Sequence, residues 1–275
     1  MIPYIIIGGL EISTWRLFVL TSVVICWIFF LIRSKNLGYS FYTIFPWLLF
    51  GLPVGTLGGH LFNKLIPSVV GLSGAAYSFA GLTIIGSIIA CVLYSFLYIK
   101  YVIKSPPTQL LDAVAFTFPL SILIGRLGCF LSGSCYGRPS AEWINNSFLS
   151  VFTLPVNFYV PPSTAWHAYR DMPPESLVWN LPLLLILNAS FGLVVTETIY
   201  RNRAKWSLYP GTVFAAAGAL DSGGRFFIEF FRKEEVVAST IFNPWQLAIL
   251  VIFCIFFLWL CFSLYRRRPQ YLLNL

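Results

Sequence analysis

Four ionisable residues stand at helical spacing near the end of an otherwise apolar stretch, LYPGTVFAAAGALDSGGRFFIEFFRKEE at 208–235. They are Asp221, Arg225, Glu229 and Arg232. Steps of three and four residues predict that all four share one face of a helix. A charged side chain at membrane depth costs about 2.5 to 3.5 kcal/mol unless it faces a partner or a cavity. One isolated Arg–Glu pair would suggest helix locking, whereas four such residues favour a functional site.

A second glycine-rich stretch, IGRLGCFLSGSCYGRPS at 124–140, contains Arg126. A guanidinium group donates paired hydrogen bonds that match a phosphate. If Arg126 and Arg225 meet in the folded chain, we expect them to bind a phosphate, and a phospholipid headgroup is the nearest source. Glycine-mediated helix packing is the alternative for this stretch; it accounts for the glycines and leaves the arginine without a role.

Histidine and cysteine offer weaker candidates. His60, in GTLGGHLFNK, could act as a base near neutral pH, although a single histidine is more often structural. Cys129 and Cys135 could form a disulfide or stay reduced, and use as a nucleophile would require a lowered thiol pKa. The sequence has no zinc-ligand spacing, no P-loop and no dinucleotide motif, so we expect neither a metal nor a cofactor.

The composition indicates that these residues are positioned by membrane helices. Of the residues, 58% are hydrophobic and only 10% are charged, and the mean hydropathy is +0.79. Such a chain is typical of an integral membrane protein. Its net charge of +8 is scattered between apolar stretches, which argues against nucleic acid as a partner.

Seven apolar stretches are long enough to cross a bilayer as helices. We therefore predict an all-α polytopic fold, with residues 1–275 as a single membrane domain. The proline-rich and aromatic segment 132–180 is expected to form an ordered loop or small head on the outer side. The predicted spans are Trp15–Ile32, Tyr42–Leu65, Phe79–Ile99, Leu110–Leu131, Leu181–Tyr200, Leu208–Phe231 and Ala248–Tyr265.

The basic residues between these spans predict the orientation, because Lys and Arg in short loops remain cytoplasmic. Ten lie on one side: Arg33, Lys35, Lys100, Lys104, Arg201, Arg203, Lys205, Arg266, Arg267 and Arg268. Five lie on the other: Lys64, Arg138, Arg170, Arg232 and Lys233. The N-terminus is thus expected outside and the C-terminus in the cytoplasm, which puts Arg126 and Arg225 in the outer halves of their spans.

These motifs resemble those of the bacterial phosphatidylglycerol–prolipoprotein diacylglyceryl transferase family. The likeness depends mainly on GRLGCFLSGSCYGR at 125–138 and RFFIEFFR at 225–232. Weaker support comes from GLPVGTLGGHLF at 51–62, SFAGLTIIGS at 78–87 and DAVAFTFPLSILIGR at 112–126. The order of the motifs and their seven-span setting extend the resemblance over nearly the whole chain.

The resemblance implies an inner-membrane enzyme that moves diacylglyceryl from phosphatidylglycerol, or another anionic phospholipid, to the lipobox cysteine of a prolipoprotein. Arg126, Arg225 and Glu229 match catalytic positions of the family, and Gly137 matches a position needed for headgroup binding and catalysis. Gly128 is a motif glycine. We add Asp221, Arg232 and His60 as substrate-binding candidates.

Several family positions are changed in this sequence. The family histidine falls at Ala80, the motif asparagine at Cys129 and the glutamate five residues later at Ser134. The base is left open among His60, Asp221 and Glu229. Two alternatives to a transferase follow: a phospholipid-binding scaffold that lacks catalysis, and a transporter, since intramembrane charges also line ion paths.

Overall fold

The computed structural model describes residues 1–70, 79–104, 106–233 and 244–266. Helices dominate these residues, and five of them are long and apolar enough to cross a bilayer. The elements in chain order are β1 Tyr4–Ile7, β2 Leu10–Ser13, α1 Thr14–Asn36, α2 Phe41–Val70, α3 Phe79–Tyr98, α4 Pro107–Val114, α5 Thr117–Ser132, α6 Glu142–Asn145, β3 Thr153–Pro155, α7 Thr164–Tyr169, β4 Leu177–Trp179, α8 Leu181–Asn202, α9 Thr212–Ile228 and α10 Pro244–Tyr265.

The observed helices confirm the predicted all-α polytopic class. Each predicted span corresponds to a helix, and α4 with α5 together make the fourth. The third and sixth predicted spans correspond to α3 and α9, of 20 and 17 residues, which are not among the five span candidates of the described chain. The count of seven crossings therefore stays a prediction.

The chain divides into two compact units, one of residues 1–26 with 111–275 and the other of residues 27–110. In the second unit, α2 packs against α3 through small residues. A Cβ on Gly58 would lie 2.9 Å from the carbonyl oxygen of Gly86, so the two helices approach almost backbone to backbone. His60 is exposed on α2, and Ala80 stands at the start of α3.

In the first unit, α8 packs against both α5 and α9, and α9 packs against α10. Asn180 begins α8, because its side-chain oxygen accepts a hydrogen bond from the Leu183 N–H at 3.2 Å. At the C-terminal end of α5, Gly133 adopts a left-handed φ of +65°, and its N–H bonds to the Cys129 carbonyl. Glycine suits this position because it has no Cβ to clash. The chain consequently turns sharply just after Ser132.

Residues 133–180 form a small folded segment between α5 and α8. The strands β3 and β4 pair antiparallel, with Thr153 opposite Trp179. A hydrophobic cluster lies beside this hairpin and contains Val156, Tyr159, Ala165, Tyr169 and Val178. The segment is ordered around its own small core.

A buried carboxylate fixes the start of α9. Asp112 Oδ2 accepts a hydrogen bond from Gly211 N at 2.9 Å, and Oδ1 accepts from Val213 N at 3.1 Å and Phe214 N at 3.2 Å. The first N–H groups of a helix have no partner within that helix, and negative charge is favoured at its N-terminus. Gly211, the N-cap residue of α9, has no side chain that could cap the helix. The carboxylate of Asp112, on α4, takes over this role.

Replacing Asp112 should therefore loosen α9. Asp112→Ala leaves three N–H groups without an acceptor, two of them in buried hydrogen bonds, at a cost of about 1–3 kcal/mol for each buried unsatisfied group. We expect the apparent Tm of the purified protein in detergent to fall by at least about 4 °C. Thr198→Ala is the control, since that hydroxyl bonds only to its own helix at Val194 O, 2.8 Å away, on an exposed surface. Equal Tm values for the two variants would contradict this role of Asp112.

Candidate active site

Arg126 lies in the C-terminal half of α5 and points its guanidinium at two sulfur atoms. Its Nη1 donates to Cys135 Sγ at 3.4 Å and to Cys129 Sγ at 3.9 Å. Cys129 lies one turn after Arg126 on the same helix, whereas Cys135 returns to it because of the turn at Gly133. Sulfur is a weak acceptor, so these contacts orient the guanidinium without satisfying all of its donors.

Asp221 and Arg225 lie one turn apart on α9. The Asp221 carboxylate interacts electrostatically with Arg225 and with Arg126. The two guanidinium groups are close enough to repel each other. Arg225 Nε is buried and has no hydrogen-bond partner within the described residues. The structure thus brings together Arg126, Arg225 and Asp221, with donors on Arg225 still available.

Gly224, directly before Arg225, allows α9 to pack closely against α8. A Cβ on Gly224 would collide with the side chain of Asn188 on α8. Asn188 Nδ2 in turn donates to the Asp221 carbonyl at 3.4 Å. The absence of a side chain at Gly224 therefore lets α8 hold the turn of α9 that carries Asp221 and Arg225.

Arg232 corrects the expectation of four charges on one helix face. The α-helix ends at Ile228 and a 3₁₀ turn follows over Glu229–Phe231, after which Arg232 is extended. Arg232 Nε contacts Glu229 Oε1 at 2.9 Å, and the Glu229 side chain is only 3% exposed. The direct ion pair of Glu229 is therefore with Arg232, and Arg225 interacts with Glu229 electrostatically at longer range.

Gly137 lies where three segments meet. It forms a β-bridge with Arg232, and its carbonyl accepts a hydrogen bond from the Tyr169 hydroxyl. Burial raises the pKa of Tyr169, so the phenol keeps its proton. A Cβ at Gly137 would lie 2.7 Å from Trp179 Cβ and 3.0 Å from the Phe231 carbonyl oxygen. Glycine is required here because backbone passes on both sides.

Gly128 lies in a helix-packing contact. A Cβ on Gly128 would lie 2.6 Å from Phe18 Cβ, so the glycine allows α1 to approach α5. The same pair of helices is joined by hydrogen bonds from Ser22 Oγ to Ser121 O and from Cys26 Sγ to Thr117 O, both 3.4 Å long. Gly128 therefore fits the alternative of glycine-mediated helix packing that was considered for the stretch 124–140.

The remaining candidates are placed apart from these contacts or in the other unit. His60 belongs to the unit of residues 27–110. His167 is exposed on α7 and packs edge-on against Trp166, with ring centroids 4.9 Å apart. In the described part of the chain, no group of three or more His, Cys, Asp or Glu side chains could hold a metal ion.

The sequence argument assigned no role to Cys129 and Cys135, and the structure places both beside Arg126. Cys135 stands nine residues after Arg126, which fits no regular helical or strand spacing. The one available signal was Gly133, since a glycine just past an apolar helix predicts a left-handed turn that reverses the chain. With that turn, Cys135 returns to the last turns of α5.

The helical fold and its long apolar helices define a polytopic membrane protein, with buried charged side chains on α5 and α9. A family model described as prolipoprotein diacylglyceryl transferase matches residues 3–264. The chain belongs to this family, which confirms the resemblance seen at 125–138 and 225–232, and it is a multi-pass membrane transferase.

Similar proteins carry the name phosphatidylglycerol–prolipoprotein diacylglyceryl transferase. The one from Clostridium tetani is 29% identical over 210 residues, covering 74% of this chain and 73% of the relative. That from Thermotoga petrophila is 27% identical over 247 residues, covering 86% and 75%. That from Chloroflexus aggregans is 27% identical over 231 residues, covering 75% and 68%.

The packing at Gly137 predicts that even the smallest side chain is not tolerated. Gly137→Ala forces the backbone of Trp179 or Phe231 to move, and overpacking of this kind costs about 1–3 kcal/mol or more. We expect a lower yield of folded protein on size-exclusion chromatography in detergent. Gly125→Ala is the matched control, because a Cβ there meets no atom within 4 Å. A normal yield for Gly137→Ala would show that the junction adapts more readily than its geometry indicates.

Proposed function

We propose that this protein transfers a diacylglyceryl group from phosphatidylglycerol to the cysteine thiol of a prolipoprotein lipobox, releasing glycerol phosphate. Membership of the family and the names of the relatives support this reaction. The alternatives of a non-catalytic scaffold and a transporter gain no comparable support.

The observation that carries the proposal is the pair of buried arginines. Arg126 and Arg225 repel each other, and within the described residues neither forms a direct ion pair with a carboxylate. Two cations held close in a poorly solvated site are costly unless anions balance them, and Asp221 offsets only one of the two charges. The phosphate of an anionic phospholipid supplies that charge and accepts the donors of Arg225.

Such a site also suits the chemistry. Attack of the acceptor thiolate on the terminal glyceryl carbon breaks the bond from that carbon to the phosphate oxygen. Negative charge then builds up on the departing phosphate, and fixed guanidinium groups stabilise this charge with little reorganisation. Arg126 and Arg225 are the proposed catalytic residues. Glu229 acts by holding Arg232, and Arg232 holds Gly137 through the β-bridge.

We place the reaction at the outer face of the inner membrane, with the N-terminus outside and the C-terminus in the cytoplasm. The distribution of basic residues between the spans supports this orientation. Secreted prolipoproteins present their lipobox cysteine at that face, and phosphatidylglycerol reaches it from the outer leaflet. Both substrates are membrane-anchored, so we propose that each enters laterally between helices.

Removing either arginine should abolish transfer without unfolding the protein. We expect Arg126→Ala and Arg225→Ala each to lower the rate of transfer about 100-fold or more, since loss of one charge-stabilising donor typically costs 10²–10³ in kcat. The measurement is transfer of labelled diacylglyceryl from phosphatidylglycerol to a lipobox peptide in detergent or liposomes.

Arg201→Ala provides the control for this experiment. Arg201 is an arginine of α8 whose side chain is 75% exposed and pairs with Glu197 at 2.7 Å, so its loss should leave transfer unchanged. The proposal would be abandoned if native, folded protein transferred no lipid, or if both site variants retained full activity.

A further inference from the structure

Cys135 lies beside Arg126, one of the two arginines of the proposed phosphate site. Its Sγ accepts a hydrogen bond from Arg126 Nη1 at 3.4 Å, and it lies within electrostatic range of Arg232. The Ser134 N–H bonds to the Cys129 carbonyl at 3.2 Å, which closes the turn that delivers Cys135. The side chain is thus fixed by backbone and guanidinium together.

The two thiols of this cluster differ in access. Cys129 is 5% exposed and lies inside α5, whereas Cys135 is half-buried and follows the end of the helix. The two thiols are close enough to influence each other's ionisation. Cys135 is therefore the sulfur that an incoming group can reach, and Cys129 is its buried partner.

The surroundings of Cys135 favour its thiolate. The neighbouring Cys129 thiol lowers the pKa of the Cys135 thiol, burial opposes this, and the positive charges of Arg126 and Arg232 lower it further. The other titratable group that faces it is Tyr159, whose pKa burial raises, so that its phenol stays neutral. No carboxylate acts directly on this sulfur among the described residues.

The carboxylates of the site are poorly placed to remove a proton from an acceptor. Glu229 is committed to Arg232 at 2.9 Å and is almost fully buried. Asp221 is held by the charges of both Arg225 and Arg126. Cys135 is a thiol like the acceptor, and its Sγ lies 3.4 Å from Nη1 of Arg126, which is proposed to bind the departing phosphate.

We propose that the Cys135 thiolate is the general base that deprotonates the acceptor cysteine. This inference rests on the proposed function. The acceptor S–H proton moves to Cys135 Sγ, and the acceptor thiolate forms the new bond to the glyceryl carbon. The electron pair of the broken carbon–oxygen bond goes to the phosphate that Arg126 and Arg225 bind. The proton on Cys135 is then released to water or to the departing phosphate.

The test compares a thiol acceptor with a selenol acceptor. A lipobox peptide that carries selenocysteine is already ionised near neutral pH and does not need a base. With the thiol peptide, we expect Cys135→Ser to lower the transfer rate at least about 100-fold, the range typical of general bases. With the selenol peptide, the same variant should recover to within about tenfold of the native rate.

Cys254→Ser is the matched control, since Cys254 is an exposed cysteine of α10, and it should behave as native with both peptides. Cys135→Ala serves as a second variant, and the same recovery with selenol is expected there. If Cys135 were only structural, both acceptors would be slowed equally in both variants, and this result would overturn the inference.

The proposed function fails in a different way. Absence of transfer by the native chain to either peptide would overturn the reaction itself, and the role of Cys135 with it. If the native chain transferred lipid to both peptides and Cys135→Ser were slowed equally on both, the role of Cys135 as a base would be excluded and the transferase reaction would stand. Full activity of Cys135→Ser on the thiol peptide would also exclude that role.

Discussion

The burial of two like charges beside each other is the constraint on which the site depends. Arg126 and Arg225 repel across a poorly solvated space, and that repulsion grows as water is excluded. The fold must therefore hold α5 and α9 together by other means. Part of the attraction comes from Asp221, whose carboxylate interacts with both arginines.

The scaffold around the arginines explains several features that have no chemistry of their own. Asp112 fixes the first turn of α9, and Asn188 holds its later turn through Gly224. Gly137, in the segment that follows α5, forms a β-bridge with Arg232, in the segment that follows α9. This bridge joins the chain beyond Arg126 to the chain beyond Arg225. Each of these contacts involves a glycine or a backbone group.

The helices could be predicted closely from the sequence, since apolar length is a strong local signal. The predicted span Leu181–Tyr200 matches α8, Leu181–Asn202. The span predicted as Leu208–Phe231 was too long at both ends. The observed helix α9 begins later than the predicted span because Gly211 adopts a left-handed φ of +96° and Asp112 caps the helix. No local pattern could reveal that cap, whose partner lies about 100 residues away along the chain.

The site could be predicted only in part. The sequence suggested that Arg126 and Arg225 could meet, since both lie in the outer halves of the fourth and sixth predicted spans. The pairing of Glu229 with Arg232 and the approach of Cys135 to Arg126 depend on turns that interrupt helical spacing. A pattern read with constant periodicity therefore misplaces the residues that follow such turns.

The most direct test of a phosphate site between the arginines is equilibrium binding of short-chain phosphatidylglycerol to the purified protein, measured without an acceptor. The account predicts that Arg126→Ala and Arg225→Ala each weaken binding at least about tenfold, since one charged hydrogen bond contributes roughly 1.5–3 kcal/mol and 1.4 kcal/mol is a factor of ten. Unchanged affinity in both folded variants would contradict the account.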